Sequence, residues 1–481
     1  MRRVKKKGVK DVTGNRTRIF LAALVFTLLL ACMLTACGNA GQTAAPSTEA
    51  APAPAEEAPA ASLGSLVITP ETDTVDLEEA GATIEDLMRA SDSLGGVKKI
   101  ALGLTDATAE QLEAVCKAFP DAEVTWKANV LGTAVESTAE ELDLSEAADA
   151  DVAGLIKALA VLPEVKTLLL APEEGVTTLS YESLDALAAA APEKELRCRF
   201  DLFGHTADWT TEELRYQNEA IGDEGIAVFR AALPYLPALK LLRLESCGIT
   251  DNDAMDALRS DFPDKGVVWS ISIEGYTFMT DTTLINDGDT NLLYDGNVHL
   301  LTYMHDVLYL DIGHNHHLTN IEFVRSFPKL QVVIMTLTNI SDISPLENCP
   351  DLEFIECHSC QIGDLSPLAD KVNLRYLNIA NLPNLRDLSP LYGLKDLKLV
   401  RICGTTYTHL TQADVDALKA ELPDTFVSDY GGDPNSSGQW RYNTNGNKQD
   451  PTERYALLRQ QMLYDLNWTE RLSNSPSREE G

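Results

Sequence analysis

Basic charge is scarce in this chain of 481 residues, and much of it sits at one end. Lysine and arginine total 39 against 73 acidic residues, a net charge of −34. Arg2, Arg3, Lys5, Lys6, Lys7, Lys10, Arg16 and Arg18 lie within the first 36 residues, where Asp11 is the single acid. From residue 37 onward the counts are 31 basic and 72 acidic, a net charge near −41. Such a chain repels nucleic acid and anionic lipid headgroups. Cysteine is also sparse: of nine, Cys32 and Cys37 lie early and the other seven are scattered. An odd, unclustered set implies no disulfide framework and points to buried free thiols or a reducing setting. No G-x-S-x-G, HExxH or phosphate-binding glycine loop occurs. Paired acids arise by chance among so many, so the sequence supports no enzyme and implies no cofactor.

Long apolar runs are lacking beyond one, "IFLAALVFTLLLACMLTA", residues 19–36. Behind a basic stretch and ending in small residues, it reads as a secretory signal. At about 18 residues it is borderline for a spanning helix, so an uncleaved anchor is the alternative. It runs into "LTAC", Leu34 to Cys37, which resembles the lipobox of bacterial lipoproteins. The resemblance implies removal of residues 1–36 and a diacylglyceryl group on Cys37. It also implies a location outside the cytoplasm, on the cell surface where the envelope has a single membrane. Two acyl chains suffice for stable anchoring, and the acidic chain itself would add no membrane affinity. Residues 37–65 are then the lipidated cysteine and a linker rich in alanine and proline. Its residues 38–64 would reach at most roughly 80 Å at about 3.1 Å per residue.

Repetition dominates the rest. "VLYLDIGHN", "LQVVIMTLT", "LEFIECHSC", "LRYLNIANL" and "LKLVRICGT" start at Val307, Leu330, Leu352, Leu374 and Leu397, spaced 22 or 23 residues apart. Each places apolar or near-apolar residues at positions 1, 4 and 6. "ISPL" or "LSPL" follows at Ile343, Leu365 and Leu388 in register. The pattern resembles the leucine-rich repeat family in its short, internalin-like form. Similar starts lie upstream at Val97, Val165 and Leu239. Between them a second block recurs, "FPDAEVTWKANVLG", "APEKELRCRFDLFG" and "FPDKGVVWSISIEG". It alternates like a half-buried strand: Val124, Trp126, Ala128, Val130; Leu196, Cys198, Phe200, Leu202; Val267, Trp269, Ile271, Ile273. A helical stretch precedes each proline. The expected fold is an α/β solenoid with a parallel concave sheet and helices or short turns on the convex side. Long degenerate repeats fill residues 66–275 and short ones 276–430. A polar tail, 431–481, carries a helix signature at Asp450-Pro451-x-Glu453, read as a cover for the last turn.

Three clusters offer chemistry. "CHSC", Cys357 to Cys360, has the spacing of a metal or redox site. Within its repeat, however, Cys357 is position 6 and Cys360 position 9, both core positions. His314, His316 and His317 share a loop in which Asn315 takes the position-9 role, leaving the histidines to solvent. "NDGDTNLLYDGN", residues 286–297, lacks the glycine and terminal glutamate of a calcium loop and reads as turns. No metal is expected at any of the three.

The family resemblance implies that positions 2, 3 and 5 of each strand face outward on the concave sheet. Position 3 reads Tyr309, Val332, Phe354, Tyr376, Leu399; position 5 includes Asp311, Glu356 and Arg401. The first set forms an apolar, aromatic stripe of the kind that marks partner sites. The alternative is that the tail or neighbouring loops cover it. The leading expectation is a lipid-anchored surface protein that binds a protein or glycan through this face. Two others are a structural envelope lipoprotein without a dedicated ligand and a solute-binding lipoprotein of an uptake system.

Overall fold

In the computed structural model the chain divides into two units, Met1–Ala61 and Ser62–Gly481. The described residues are 62–287, 292–403, 406, 408–443, 447, 449–453 and 455–456. All belong to the second unit. The signal, Cys37 and most of the linker and tail helix lie outside them.

The chain is a leucine-rich repeat solenoid, and its twofold texture follows from its two kinds of repeat. After a small hairpin, β1 (Ser62–Leu63) with β2 (Leu66–Val67), three parallel ladders follow one another. They are β3 (Thr74–Asp76), β4 (Lys99–Leu104) and β5 (Glu123–Val130), with β6 (Thr133–Glu136) folded back antiparallel on β5. Next come β7 (Glu141–Asp143), β8 (Thr167–Leu169) and β9 (Glu195–Arg197), extended by β10 (Arg199–Leu202) with its antiparallel mate β11 (His205–Asp208). Last come β12 (Glu213–Gln217), β13 (Leu241–Glu245) and β14 (Gly266–Ile273), closed by antiparallel β15 (Tyr276–Met279).

The recurring alternating block is thus the long final strand of each ladder. Its closing glycine is the second residue of a two-residue hairpin. Leu131-Gly132, Phe203-Gly204 and Glu274-Gly275 all have positive φ, from 49° to 87°. That is the type I′ geometry whose twist matches the flanking strands. Asn129 and Asp201 each accept the backbone N–H of the glycine three residues on, at 3.0 and 2.7 Å.

Helices precede the long strands where the sequence placed them, at Ala109–Ala118, Tyr181–Ala190 and Asn252–Asp261. Thr108, Ser180 and Asp251 cap their first turns through side-chain oxygens, each satisfying one of the N–H groups a helix start leaves open. In most of the short repeats 3-10 segments of three to six residues replace them, as in Val298–Tyr303, Ser344–Asn348, Ser366–Leu368 and Ser389–Leu391, and an α-helix returns at Gln412–Glu421 before the last strand. In the last three of these 3-10 segments Asp342, Asp364 and Asp387 hold the serine N–H ahead of each proline.

The short repeats build one seven-stranded parallel sheet: β16 (Leu284–Asn286), β17 (Tyr309–Asp311), β18 (Val332–Ile334), β19 (Phe354–Glu356), β20 (Tyr376–Asn378), β21 (Leu399–Arg401) and β22 (Phe426–Ser428). Its register aligns three columns of residues. The central column, Ile285, Leu310, Val333, Ile355, Leu377, Val400 and Val427, is buried in the solenoid core. A core aliphatic contributes about 1.5–3 kcal/mol on burial, so this column and its neighbours hold the turns in stack. The residue ending the strand side of successive turns, at His314, Leu337, Ser359 and Asn381, takes positive φ. Asn315, Thr338 and Cys360 then point inward to hydrogen-bond loop backbone.

Candidate functional site

The two outer columns of the seven-stranded sheet face the concave side. One reads Leu284, Tyr309, Val332, Phe354, Tyr376, Leu399, Phe426; the other Asn286, Asp311, Ile334, Glu356, Asn378, Arg401, Ser428. The expected aromatic stripe is therefore present, on the expected face and in the expected register. It is not open to solvent, and this corrects the sequence expectation. Tyr309, Val332, Phe354 and Leu399 are buried, Glu356 and Arg401 fully so, while Tyr376 and Asp311 are half-buried. The cause is the tail. Beyond Tyr430 the chain leaves the array and returns across the sheet, so it covers the concave face rather than only the last turn. Leu284, Tyr309, Val332, Ile334, Phe354, Leu399 and Trp440 form a hydrophobic cluster of their own, separate from the solenoid core.

Trp440 is the centre of this cover. It is 0% exposed, and its ring centroid lies 5.2 Å from that of Phe354. Its Nε1 donates to Glu356 Oε2 at 2.8 Å. The Arg441 guanidinium donates to the other carboxylate oxygen and lies 5.5 Å from the Tyr455 ring centre. Burial disfavours the Arg441 charge, but Glu356 outweighs it and holds the guanidinium above its ordinary pKa. Both oxygens of a fully buried carboxylate are thus engaged by two consecutive residues 84 and 85 positions away in sequence. A buried carboxylate needs such partners, since leaving it unpaired costs several kcal/mol.

The segment is seated at its start by Arg401. This guanidinium donates to Tyr430 O at 2.7 Å and to Ser428 Oγ at 3.1 Å. Burial pulls its pKa below the ordinary arginine value. Gly438 lies flat against it: a Cβ there would stand 2.4 Å from Ser428 Oγ and 2.6 Å from Arg401 Cζ. With φ at +68° as well, no larger residue fits. Asn378 Nδ2 donates to Pro434 O at 3.2 Å. Asp433 folds the segment on itself by accepting the N–H groups of Asn435 and Ser436.

Beneath the cover sits His358, 3% exposed. Its Nδ1 lies 3.1 Å from Ser359 Oγ. Burial pulls its pKa below the ordinary value; Glu356 and Asp433 oppose this and Arg441 adds to it. The flanking cysteines are core residues, as positions 6 and 9 imply. Cys357 Sγ donates to Asn378 O at 3.4 Å and Cys360 Sγ to Met335 O at 3.0 Å. Burial raises both thiols well clear of thiolate formation at neutral pH. His316 and His317 are exposed. Asp287 of the acidic loop is buried and accepts Leu293 N–H at 3.1 Å, while Asp295 holds Thr319 of the next turn. Asp289 and Asn291 lie outside the described residues.

Sequence reasoning missed Trp440, Arg441 and Gly438. The available signal was a lone tryptophan followed by arginine in "GGDPNSSGQWRYN", a segment otherwise too polar to need either.

Fold and site together define a leucine-rich repeat solenoid whose own C-terminal segment occupies its concave face. Known structures of similar description are two internalins of Listeria monocytogenes and a leucine-rich repeat protein of Leptospira interrogans. Internalin C2 is 20% identical, with 52% of this chain and 84% of that one covered and a TM-score of 0.24. The internalin InlF is 16% identical over 72% and 86%, with a TM-score of 0.26. The Leptospira protein is 13% identical over 70% and 90%, with a TM-score of 0.28. No protein-family model and no curated protein matches the chain. The fold assignment therefore rests on the strand registers given above.

Proposed function

We propose that this chain is a lipid-anchored, non-enzymatic recognition protein of the cell envelope that binds a protein partner through its concave side. One observation carries the reading. The concave face holds a hydrophobic layer distinct from the core, built around a fully buried carboxylate, Glu356. A sheet face that served only as a solvated back would alternate polar residues there. The anchor half rests on the signal-like start and on "LTAC". The non-enzymatic half is supported by the structural roles of Cys357 and Cys360 in the repeat core. The solute-binding alternative requires two α/β lobes around a cleft, which a continuous seven-stranded ladder does not provide.

Photo-cross-linking tests the recognition half. Phe426 is 43% exposed and stands beside Leu399 at the open end of the sheet. Val372, 63% exposed, lies in a turn off the sheet face. A benzophenone residue at Phe426 is expected to capture envelope or surface proteins that the same probe at Val372 does not. Equal capture at both positions, or none at Phe426, would refute it and favour a structural lipoprotein. For the anchor, mass spectrometry of the exported protein should find Cys37 as its first residue carrying a diacylglyceryl group; an unmodified Cys37 overturns that half.

A further inference from the structure

The segment on the concave face has the character of an occupant rather than of a wall. Among the described residues, the backbone-to-backbone hydrogen bonds of 433–443 stay within the segment and its continuation, among them Ser437 N to Asp433 O, Trp440 N to Ser437 O, Arg441 N to Asn435 O and Thr452 N to Arg441 O, while Pro434 O accepts from the Asn378 side chain of the sheet. What joins 433–443 to the sheet is side-chain chemistry, chiefly Trp440 against Phe354 and the pairing of Trp440 and Arg441 with Glu356. The array does not need it as core, because the central column packs in a separate cluster. Its charged component is also exchangeable. A buried ion pair is worth little more than its two ions in water, since desolvation offsets most of the attraction. Withdrawal of the segment would rehydrate Glu356 together with Arg441, and leave no buried charge orphaned.

We propose that the groove formed by Tyr309, Val332, Ile334, Phe354, Glu356 and Tyr376 is a peptide-binding site, that residues 433–443 are its built-in occupant, and that the external partner presents a turn-forming segment carrying an aromatic ring followed by a guanidinium. The proposal rests on the concave-face reading of function and specifies its partner chemistry. The aromatic ring fills the apolar floor, its N–H or O–H meets one oxygen of Glu356, and the guanidinium takes the other. Charged donors of this kind to a desolvated carboxylate are the strong class of hydrogen bond, and aromatic and arginine anchors dominate binding energies. The tail then sets a threshold. Only a segment that competes with an occupant held at high local concentration by its covalent tether gains entry.

The experiment uses the full chain and a fluorescein-labelled peptide with the sequence of residues 433–443. The Trp440→Ala/Arg441→Ala double variant empties the groove of its side chains. Gly438→Ala lifts the segment by the clash with Arg401 and Ser428 while both anchors remain. The labelled peptide is expected to bind each variant at least tenfold more tightly than it binds the unmodified chain. A peptide with both anchors changed to alanine should bind none of them, and Glu356→Gln in the double variant should abolish binding. Absence of peptide binding to both variants, each retaining the thermal transition of the array, overturns the proposal. So does equal binding to variant and unmodified chains. Cross-linking from Phe426 reports on the concave-face reading separately, because it needs no exchange of the tail.

Discussion

Substitution of Trp440 by alanine separates the cover from the array and gives the sharpest expected number. The side chain is fully buried. A tryptophan buries about 150–250 Å², which at about 25 cal/mol per Å² is about 4–6 kcal/mol. Measured truncations of buried aromatics to alanine cost about 3–5 kcal/mol, and we take this lower range. The bond to Glu356 is lost as well, although the carboxylate keeps Arg441. The free energy of holding the segment down should therefore fall by about 3–5 kcal/mol. With roughly 1.4 kcal/mol per decade, the opened fraction rises about 10²- to 10³-fold or somewhat more, up to the point where opening is complete.

Trypsin reads this directly, because the Arg441–Tyr442 bond lies in the segment and Arg441 is largely buried in the closed form. When reclosing is faster than cleavage, the cutting rate follows the open population. Cleavage after Arg441, followed by mass spectrometry, should accelerate by about 100-fold or more, while the array's thermal transition moves little. Acceleration of less than about tenfold with an intact array would show that Trp440 does not hold the segment. Loss of the array's own transition would show that cover and core are one cooperative unit, and the separation of the two clusters would then carry no energetic meaning.

Two titrations give further checks. Burial pushes the Asp287 carboxyl up to about 6 from 3.8, so the folded state binds its proton more readily than the unfolded one. Stability is then lost as pH rises from 3.8 through about 6, and Asp287→Asn should stabilise the protein by about 2–3 kcal/mol at pH 7.5, with no gain near pH 4. Equal effects at both pH values would exclude ionisation as the cause. His358 has the opposite sign: burial holds its folded pKa below the ordinary 6.5, so the opened state takes the proton more readily. Docking of the cover should weaken as pH falls below 6.5. Hydrogen exchange in residues 433–443, corrected for intrinsic rate, should speed up between pH 7 and 5.5, and His358→Gln should flatten that response. The groups facing His358 are Glu356, Arg441 and Asp433; an unflattened response would show that His358 is not the source of the pH dependence.

What could be read from the sequence, and what could not, divides along the range of the contacts involved. Ile355, Leu377 and Val400 were legible because repetition every 22 or 23 residues leaves one arrangement that buries them all. The helix at Ala109–Ala118 was legible because alternation gives way to helical spacing there; its cap at Thr108 is likewise local. The type I′ hairpins were marked by their glycines, but Leu131, Phe203 and Glu274 at positive φ gave no warning. The concave face was legible only to the level of its chemistry. Tyr309, Phe354 and Glu356 form the same pattern whether a foreign segment or the chain's own tail lies over them, because either occupant is selected by apolar fit and by a carboxylate that needs donors. Gly438 decides between them, and its requirement arises from Arg401, 37 residues earlier. No periodicity can reveal such a meeting. The ambiguity is itself physical: a groove that accepts its own tail by these contacts accepts any segment that reproduces them, and the sequence of the tail is the most direct description of what the groove binds.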